Sequence, residues 1–350
     1  MSCYHPLKAV HNVSDTGAYS KLRFLKQVEY TNMQRDELID YFNVNTYELR
    51  TRFVEVPCGK CLGCRLDKSK DWAARIMLES LYHKPDRCHF ITFTFDPQHL
   101  PKIGGIPVIW TKAQFAEFNK RLRDSYKNAY LKRHPECSNK EDYQYRFFAN
   151  GEYGEEYHRP HHHFIVFNME LDDLYFWKLS KKGEKMYRSP WLEQQWHEAF
   201  DSEPLGYVTV QELTYKDAAY VARYTLKKQS KDFYKSYGIV EEWINMSRKP
   251  GIGRKYFEQY YKKILANGGV VMPGDHAFVQ KPPRYFDRVL DQIDPYTLDK
   301  VKEIRQKNAE VAESIKLARI KQSLDRQRLE DEEAKAAQIS SLLRNFESGD

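Results

Sequence analysis

Residues 159–167 read Arg-Pro-His-His-His-Phe-Ile-Val-Phe, a run that predicts a buried strand opening at its histidines. Alternate side chains of a strand share a face, so His161 and His163 point one way and His162 the other. Two neutral imidazoles converging in this manner can hold one divalent metal ion. A third ligand is at hand in Glu152, near the end of the aromatic-rich segment 145–154. Glycines after that segment and Pro160 before the next predict a hairpin, which sets Glu152 across the ladder from the histidines. Glu155 or Glu156 would serve in its place if the register differed. One carboxylate with two imidazoles suits Mg²⁺ or Mn²⁺ and leaves positions free for a phosphate oxygen. The bland alternative is a histidine-rich loop with no ligand role.

The second chemical motif is Tyr220-Val-Ala-Arg-Tyr224-Thr-Leu-Lys227-Lys228. Thr214 and Asp217 make an acceptable helix start, and Ala218, Val221, Ala222 and Thr225 form an apolar side. The opposite stripe carries Tyr220, Tyr224 and Lys227 or Lys228. Tyrosines at this spacing are also ordinary amphipathic packing residues. Read with the histidines, however, they describe phosphoryl chemistry. A phenol with its pKa near 10 is a poor nucleophile at neutral pH, so attack on a phosphodiester needs an activated phosphate and a stabilised phenolate. A metal on His161, His163 and Glu152 would do the first, and Lys227 would offset the developing charge. The product is a 5′-phosphotyrosine and a free 3′-hydroxyl, and a second phenol lets the strand be cut and rejoined in turn.

Several elements must position these residues. Trp72, Ala73, Ile76, Met77 and Leu81 mark a helix that stops before Pro85, and residues 89–96 alternate as a strand. Thr111 with Gln114 opens a helix whose buried stripe is Phe115, Phe118, Leu122 and Tyr126. Its other side carries Lys120, Arg121, Arg123 and Lys127, either a solvated face or a DNA groove. Ser189-Pro190 starts a helix through Phe200, and residues 206–211 read as a strand before the tyrosine helix. The fold expected is α+β, a central antiparallel sheet with helices on one face. Its divisions would be an N-terminal cysteine-containing segment with the first helix (1–85), a catalytic domain (86–235), a part packed against it (236–292) and a charged helical tail (293–350).

Within the first 66 residues, loop-rich with short strands near 22–28 and 53–56, Cys58, Cys61 and Cys64 are spaced for a tight turn. Cys3 or His5 could complete a tetrahedral Zn²⁺ site of architectural kind, and reduced thiols in a glycine-containing turn are the alternative. Six cysteines argue against a disulfide framework in the cytosolic setting expected for the chain. It has no apolar run of the roughly 20 residues that span a bilayer and no secretory start, so no membrane partner is expected. A net charge of +7 and 25 tyrosines agree with a nucleic-acid partner, although core packing accounts for most of the rings. No P-loop is present, so any helicase must come from elsewhere.

Taken together the motifs resemble the HUH endonuclease superfamily, and within it the replication initiators of microviruses of the gokushovirus type. The resemblance rests on Cys3-Tyr-His-Pro-Leu7, Pro57-Cys-Gly-Lys-Cys-Leu-Gly-Cys-Arg65, Gly151-Glu-Tyr-Gly154, the two motifs above and Ser247-Arg-Lys-Pro-Gly-Ile-Gly253, in order along the chain. It implies a palm-like fold, His161 and His163 as metal ligands, Tyr220 and Tyr224 as nucleophiles, and Thr92-Phe-Thr-Phe-Asp96 as a strand beside the DNA. It also implies rolling-circle replication of a small circular genome in the bacterial cytoplasm, with single-stranded origin DNA as substrate and a host helicase and polymerase as partners. One departure is His162, where the family usually has a bulky hydrophobic residue; an imidazole there could fill the slot or compete for the metal. A non-catalytic nucleic-acid-binding protein, or a transposase or relaxase of the same superfamily, are the rival readings.

Overall fold

The computed structural model describes residues 3–12, 21–26, 37, 51–154, 158–180, 183–227, 231–273, 277–319 and 324–347. Strands β1 (Leu7–Asn12), β2 (Arg23–Phe24) and β3 (Thr51–Val56) form a small antiparallel sheet in the order β2-β1-β3. After α1 (Leu62–Ser80) come β4 (Cys88–Phe95) and a ribbon of β5 (Lys102–Ile103) and β6 (Ile106–Pro107). Next are α2 (Lys112–Arg133), α3 (Lys140–Tyr143), β7 (Arg146–Tyr153) and β8 (Pro160–Phe167). They are followed by β9 (Tyr175–Leu179), β10 (Lys185–Arg188), α4 (Pro190–Gln195), β11 (Gly206–Glu212) and α5 (Tyr215–Lys227). The remainder is α6 (Lys231–Tyr237), β12 (Trp243–Met246), α7 (Arg254–Ala266), a ribbon of β13 (Val270–Met272) and β14 (Phe278–Gln280), α8 (Tyr285–Ile293), α9 (Pro295–Arg319) and α10 (Leu324–Glu347).

The chain divides into two compact units, one of Met1–Asp67 with Glu310–Ser341 and one of Lys68–Ala309 with Leu342–Asp350. The first holds the small sheet, whose buried apolar residues include Ala9, Val10 and Leu25. Arg328 of α10 meets Glu55 of β3 there, Nη2 to Oε2 at 2.6 Å.

In the second unit, seven strands form one antiparallel sheet in the order β12-β7-β8-β4-β11-β10-β9. Helices cover both of its faces rather than one. The inner strands are apolar on both sides, as strands buried on two faces must be. Phe90, Phe148 and Ile165 pack against Met77 of α1, Val221 of α5 and Phe257 of α7, whereas Phe93, Ala149 and Phe164 pack against Phe115 and Phe118 of α2. The N-terminus of α2 carries the expected capping box: Gln114 N donates to Thr111 Oγ1 at 3.2 Å and Thr111 N to Gln114 Oε1 at 2.9 Å. Its basic side is half structural. Arg121 donates to the His197 carbonyl at 2.6 Å, and the Arg123 guanidinium lies 5.3 Å from the Tyr145 ring centre. α4 ends at Gln195, short of the expected Phe200, because Trp196 turns into the core and its carbonyl accepts from Leu205 N at 2.7 Å. Among the described residues no helix is long and apolar enough to cross a membrane.

The segment Ser247–Gly253 braces the start of β7 against α1. Glu79, at the buried end of α1, pairs with Arg146 Nε and accepts from Gly253 N at 2.5 Å, and Arg146 Nη2 donates to the Pro250 carbonyl at 2.6 Å. Burial alone would raise the Glu79 pKa, but His83, Arg146 and the Gly253 amide outweigh it and hold the carboxyl below its ordinary value. A depressed carboxylate stabilises the fold above the unfolded-state pKa, and that stability is lost as pH falls through the folded value. Glu79→Ala leaves Arg146 buried without its partner and should cost about 3–5 kcal/mol in urea denaturation at neutral pH. The difference from wild type should shrink as the pH is lowered below the ordinary carboxyl value of 4.5. Equal urea midpoints at neutral pH would show that the network adds nothing.

Candidate active site

Strand register assembles the site. β7 and β8 pair so that Glu152 lies opposite His161 and Asn150 opposite His163, and β8 and β4 pair so that Thr94 and Thr92 continue the same two rows. Directly paired residues share a face, so Glu152, Asn150, both histidines and both threonines project to one side. Gly151, in the intervening row, faces away; Trp243 of β12 lies so close over it that a Cβ there would sit 2.8 Å from the indole.

The ligand-type atoms converge on one carboxylate oxygen. Glu152 Oε1 is 2.7 Å from His161 Nε2 and 3.0 Å from His163 Nε2, with Glu152 buried at 1% exposure. Asn150 Nδ2 donates to the other oxygen, Oε2, at 2.7 Å. His161 Nδ1 donates to the Arg159 carbonyl at 3.0 Å, and Arg159 itself reaches across to the Phe95 carbonyl. His163 Nδ1 is 3.0 Å from Thr92 Oγ1, and its ring stacks on Phe90 with centres 5.0 Å apart. Burial alone would raise the Glu152 pKa, but His163 and His161 pull it down to about 2. Burial lowers the His163 pKa despite Glu152, while at His161 the Glu152 hydrogen bond and charge outweigh burial and raise it.

Because the His161 Nδ1 hydrogen is spent on Arg159, its neutral form presents the Nε2 lone pair to a carboxylate oxygen. Two lone pairs at that separation need a cation between them, either an added proton or a metal ion. The separations of 2.7 and 3.0 Å match neighbouring ligands of an ion with bonds of about 2.1 Å. The residues therefore fit a small divalent cation, with Glu152, His161 and His163 as the donor set.

α5 brings the phenol. Its start is capped as expected, Thr214 Oγ1 donating to Asp217 Oδ2 at 2.6 Å, and Ala218, Val221 and Ala222 are buried against the sheet. Tyr220 turns to the site: its hydroxyl is 3.4 Å from Glu152 Oε1, and its ring meets His163 edge-on at 5.4 Å between centres. Tyr224 follows one turn later and Lys227 ends the helix, but their side chains lie outside the described residues. Lys228, Glu155 and Glu156 lie outside them altogether.

His162 does not compete for the site. It points to the opposite face, fully buried, with its ring stacked on Phe115 at 5.3 Å and close to Trp243, Trp196 and Phe95. Burial, with His161 and His163 nearby, pushes its pKa down to about 3, so it is neutral. Neither ring nitrogen makes a hydrogen bond of normal geometry, although the Trp110 carbonyl lies near enough to favour protonation slightly.

Sequence reasoning overlooked Asn150. The signal was available: Asn150 precedes Glu152 by two residues, which on a strand places both on one face.

The family model for replication-associated proteins of the ORF2 type matches residues 88–229, which contain β4, the hairpin and α5. The chain is 33% identical over 315 residues to replication-associated protein ORF2 of Spiroplasma virus 4, covering 88% of this chain and 87% of that protein. Replication-associated protein VP4 of Bdellovibrio phage phiMH2K is 28% identical over 296 residues, 82% of this chain and 76% of its own. Replication-associated protein ORF4 of Chlamydia phage 1 is 28% identical over 300 residues, 82% of this chain and 64% of its own. No solved structure matches.

The aromatic slot around His162 requires ring shape and no polar atom. His162→Phe should therefore keep the fold and raise stability by about 1 kcal/mol, a gain of roughly 2–4 °C in Tm. Thermal denaturation of the variant checks this, and a lower Tm would show that an imidazole nitrogen has a partner.

Proposed function

Because this chain belongs to the family of replication-associated proteins of microviruses, we propose that it initiates rolling-circle replication by nicking and rejoining single-stranded DNA through a 5′-phosphotyrosine. The observation that carries the reading is the aim of the Tyr220 hydroxyl at the carboxylate oxygen on which both imidazoles converge. A divalent ion, Mg²⁺ or Mn²⁺, held by Glu152, His161 and His163 would polarise the scissile phosphate. The chain's own residues do the rest. Arg159 and Thr92 hold the imidazoles in one orientation, and Asn150 holds the carboxylate. As the Tyr220 oxygen bonds to phosphorus, the phosphorus bond to the 3′ oxygen breaks; the phenol loses its proton and the 3′ oxygen gains one. Lys227 offsets the charge, and Tyr224 supplies the second nucleophile for rejoining. The free 3′ end serves a host polymerase, and unwinding falls to a host helicase in the bacterial cytoplasm.

The DNA would lie along the same face of the sheet. Tyr207 of β11 pairs with Thr94 and so extends the row of Glu152 and His161. The Arg188 guanidinium on β10 lies 5.5 Å from the Tyr207 ring centre and 5.6 Å from that of Trp177 on β9, and it is paired with Glu193 at 2.6 Å. Exposed rings interleaved with a cation suit stacking of unpaired bases. The printed roles of the relatives favour an initiator over a transposase or relaxase.

Incubation with single-stranded circular DNA and Mn²⁺, followed by a denaturing gel, tests the reading. A covalent protein–DNA band should form with wild type, persist with Tyr220→Phe or Tyr224→Phe alone, and vanish in the double variant, in His163→Ala and with a chelator. DNA binding without any adduct would sink the enzymatic reading and leave a binding protein. Asn150→Ala should weaken metal affinity about 10- to 100-fold while the strand pairing stays intact. Trp177→Ala should weaken binding to single-stranded DNA roughly 5- to 100-fold without slowing cleavage at saturating DNA.

A further inference from the structure

The four cysteines at the start of the chain are used by none of this chemistry, and we propose that Cys3, Cys58, Cys61 and Cys64 hold one structural zinc ion as a closed tetrathiolate site. Their four sulfurs all lie within 4.8 Å of one another, and every one is a free thiol. Cys61 Sγ is 3.8 Å from Cys3 Sγ. Tetrahedral Zn–S bonds of about 2.3 Å set sulfurs about 3.8 Å apart, so the spacing is that of a single ion; an iron–sulfur cluster would hold its cysteines further apart.

The backbone around the sulfurs is arranged for thiolates. Cys58 N donates to Cys3 Sγ at 3.2 Å and Tyr4 N to Cys61 Sγ at 3.4 Å. Lys60 N and Cys61 N donate to Cys58 Sγ at 3.4 and 3.3 Å. The turn that aims both amides at one sulfur depends on Gly59, which sits in the left-handed region at φ +74°. Cys64 lies in the first turn of α1, where the helix dipole favours a negative sulfur.

His5, the other candidate for the fourth position, is committed elsewhere: its Nε2 is 2.5 Å from Glu332 Oε2 of α10. The same carboxylate accepts from Leu62 N at 3.1 Å through Oε1. With four protein sulfurs the ion has no open position, which makes it architectural. The need is evident from the core of this unit, three short strands around Ala9, Val10 and Leu25. Small cores of this kind commonly rely on a metal or a disulfide.

The test uses the full chain, purified without chelator, and reads metal content and spectrum rather than DNA cleavage. Elemental analysis should find zinc, and a mercurial thiol reagent should release about one zinc for every four thiols modified. Replacement by Co²⁺ should give intense sulfur-to-cobalt charge-transfer absorption, a signature that the Glu152 and histidine donor set cannot produce. The absorption should be lost in Cys61→Ser and kept in His5→Ala, Cys137→Ser and His163→Ala. Should Cys61→Ser fail to fold, the thiol-to-zinc ratio of wild type decides alone. Iron in place of zinc, no metal, or a cobalt spectrum without thiolate bands overturns the proposal.

Discussion

The register of three adjacent strands is the constraint on which the site depends. Pairing β7 with β8 and β8 with β4 puts Glu152, His161 and Thr94 in one row and Asn150, His163 and Thr92 in the next. Side chains alternate with a period of two, so a slip by one residue in β8 would bury His161 and His163 in the aromatic cluster and turn His162 to the carboxylate. Burial on both faces prevents that slip. Phe164 and Val166 fill one side and Ile165 and Phe167 the other, each group matched to different helices.

Given the register, each polar atom at the site has a partner that limits its freedom. Glu152 is bound on both oxygens, and each ligand-type histidine is held at its far nitrogen. This restriction is what keeps a buried carboxylate ionised beside two imidazoles: the cost of burial is offset by short, directed hydrogen bonds. α5 rests on Ala218, Val221 and Ala222, residues small enough for the helix to come close to the sheet and for Tyr220 to reach the cluster.

Much of this was legible in the sequence, because the local signals were strong. The histidine alternation, the glycine-containing turn, the Thr111–Gln114 cap and the apolar side of α5 each state a local geometry in a few residues, and the structure has those geometries. The antiparallel α+β architecture follows from them. What was hidden depends on distant partners. Strands β9, β10 and β12 are short, and their identity comes from the neighbours they pair with rather than from their own pattern. Helices on the second face were missed because β4 and β8 were read as polar on alternate residues, although Phe90 and Ile165 extend the apolar surface on the histidine side. The role of Ser247–Gly253 also lay outside local reading, since its contacts reach Glu79 and Arg146, more than 100 residues earlier.

The smaller unit is built from the two far ends of the described chain, and this has a bearing on the order in which the molecule can be completed during synthesis. Glu55 must wait for Arg328, and Leu62 for Glu332, separations of 273 and 270 residues. At roughly 5–20 residues per second, a ribosome takes on the order of tens of seconds to make the stretch between them. Throughout that time the large sheet can pair its strands in sequence, while the first strands remain without the helix that docks on them. The cysteine turn, by contrast, has all four of its sulfurs within the first 64 residues. It is the one part of that unit able to set its shape early, before its distant partner has been translated.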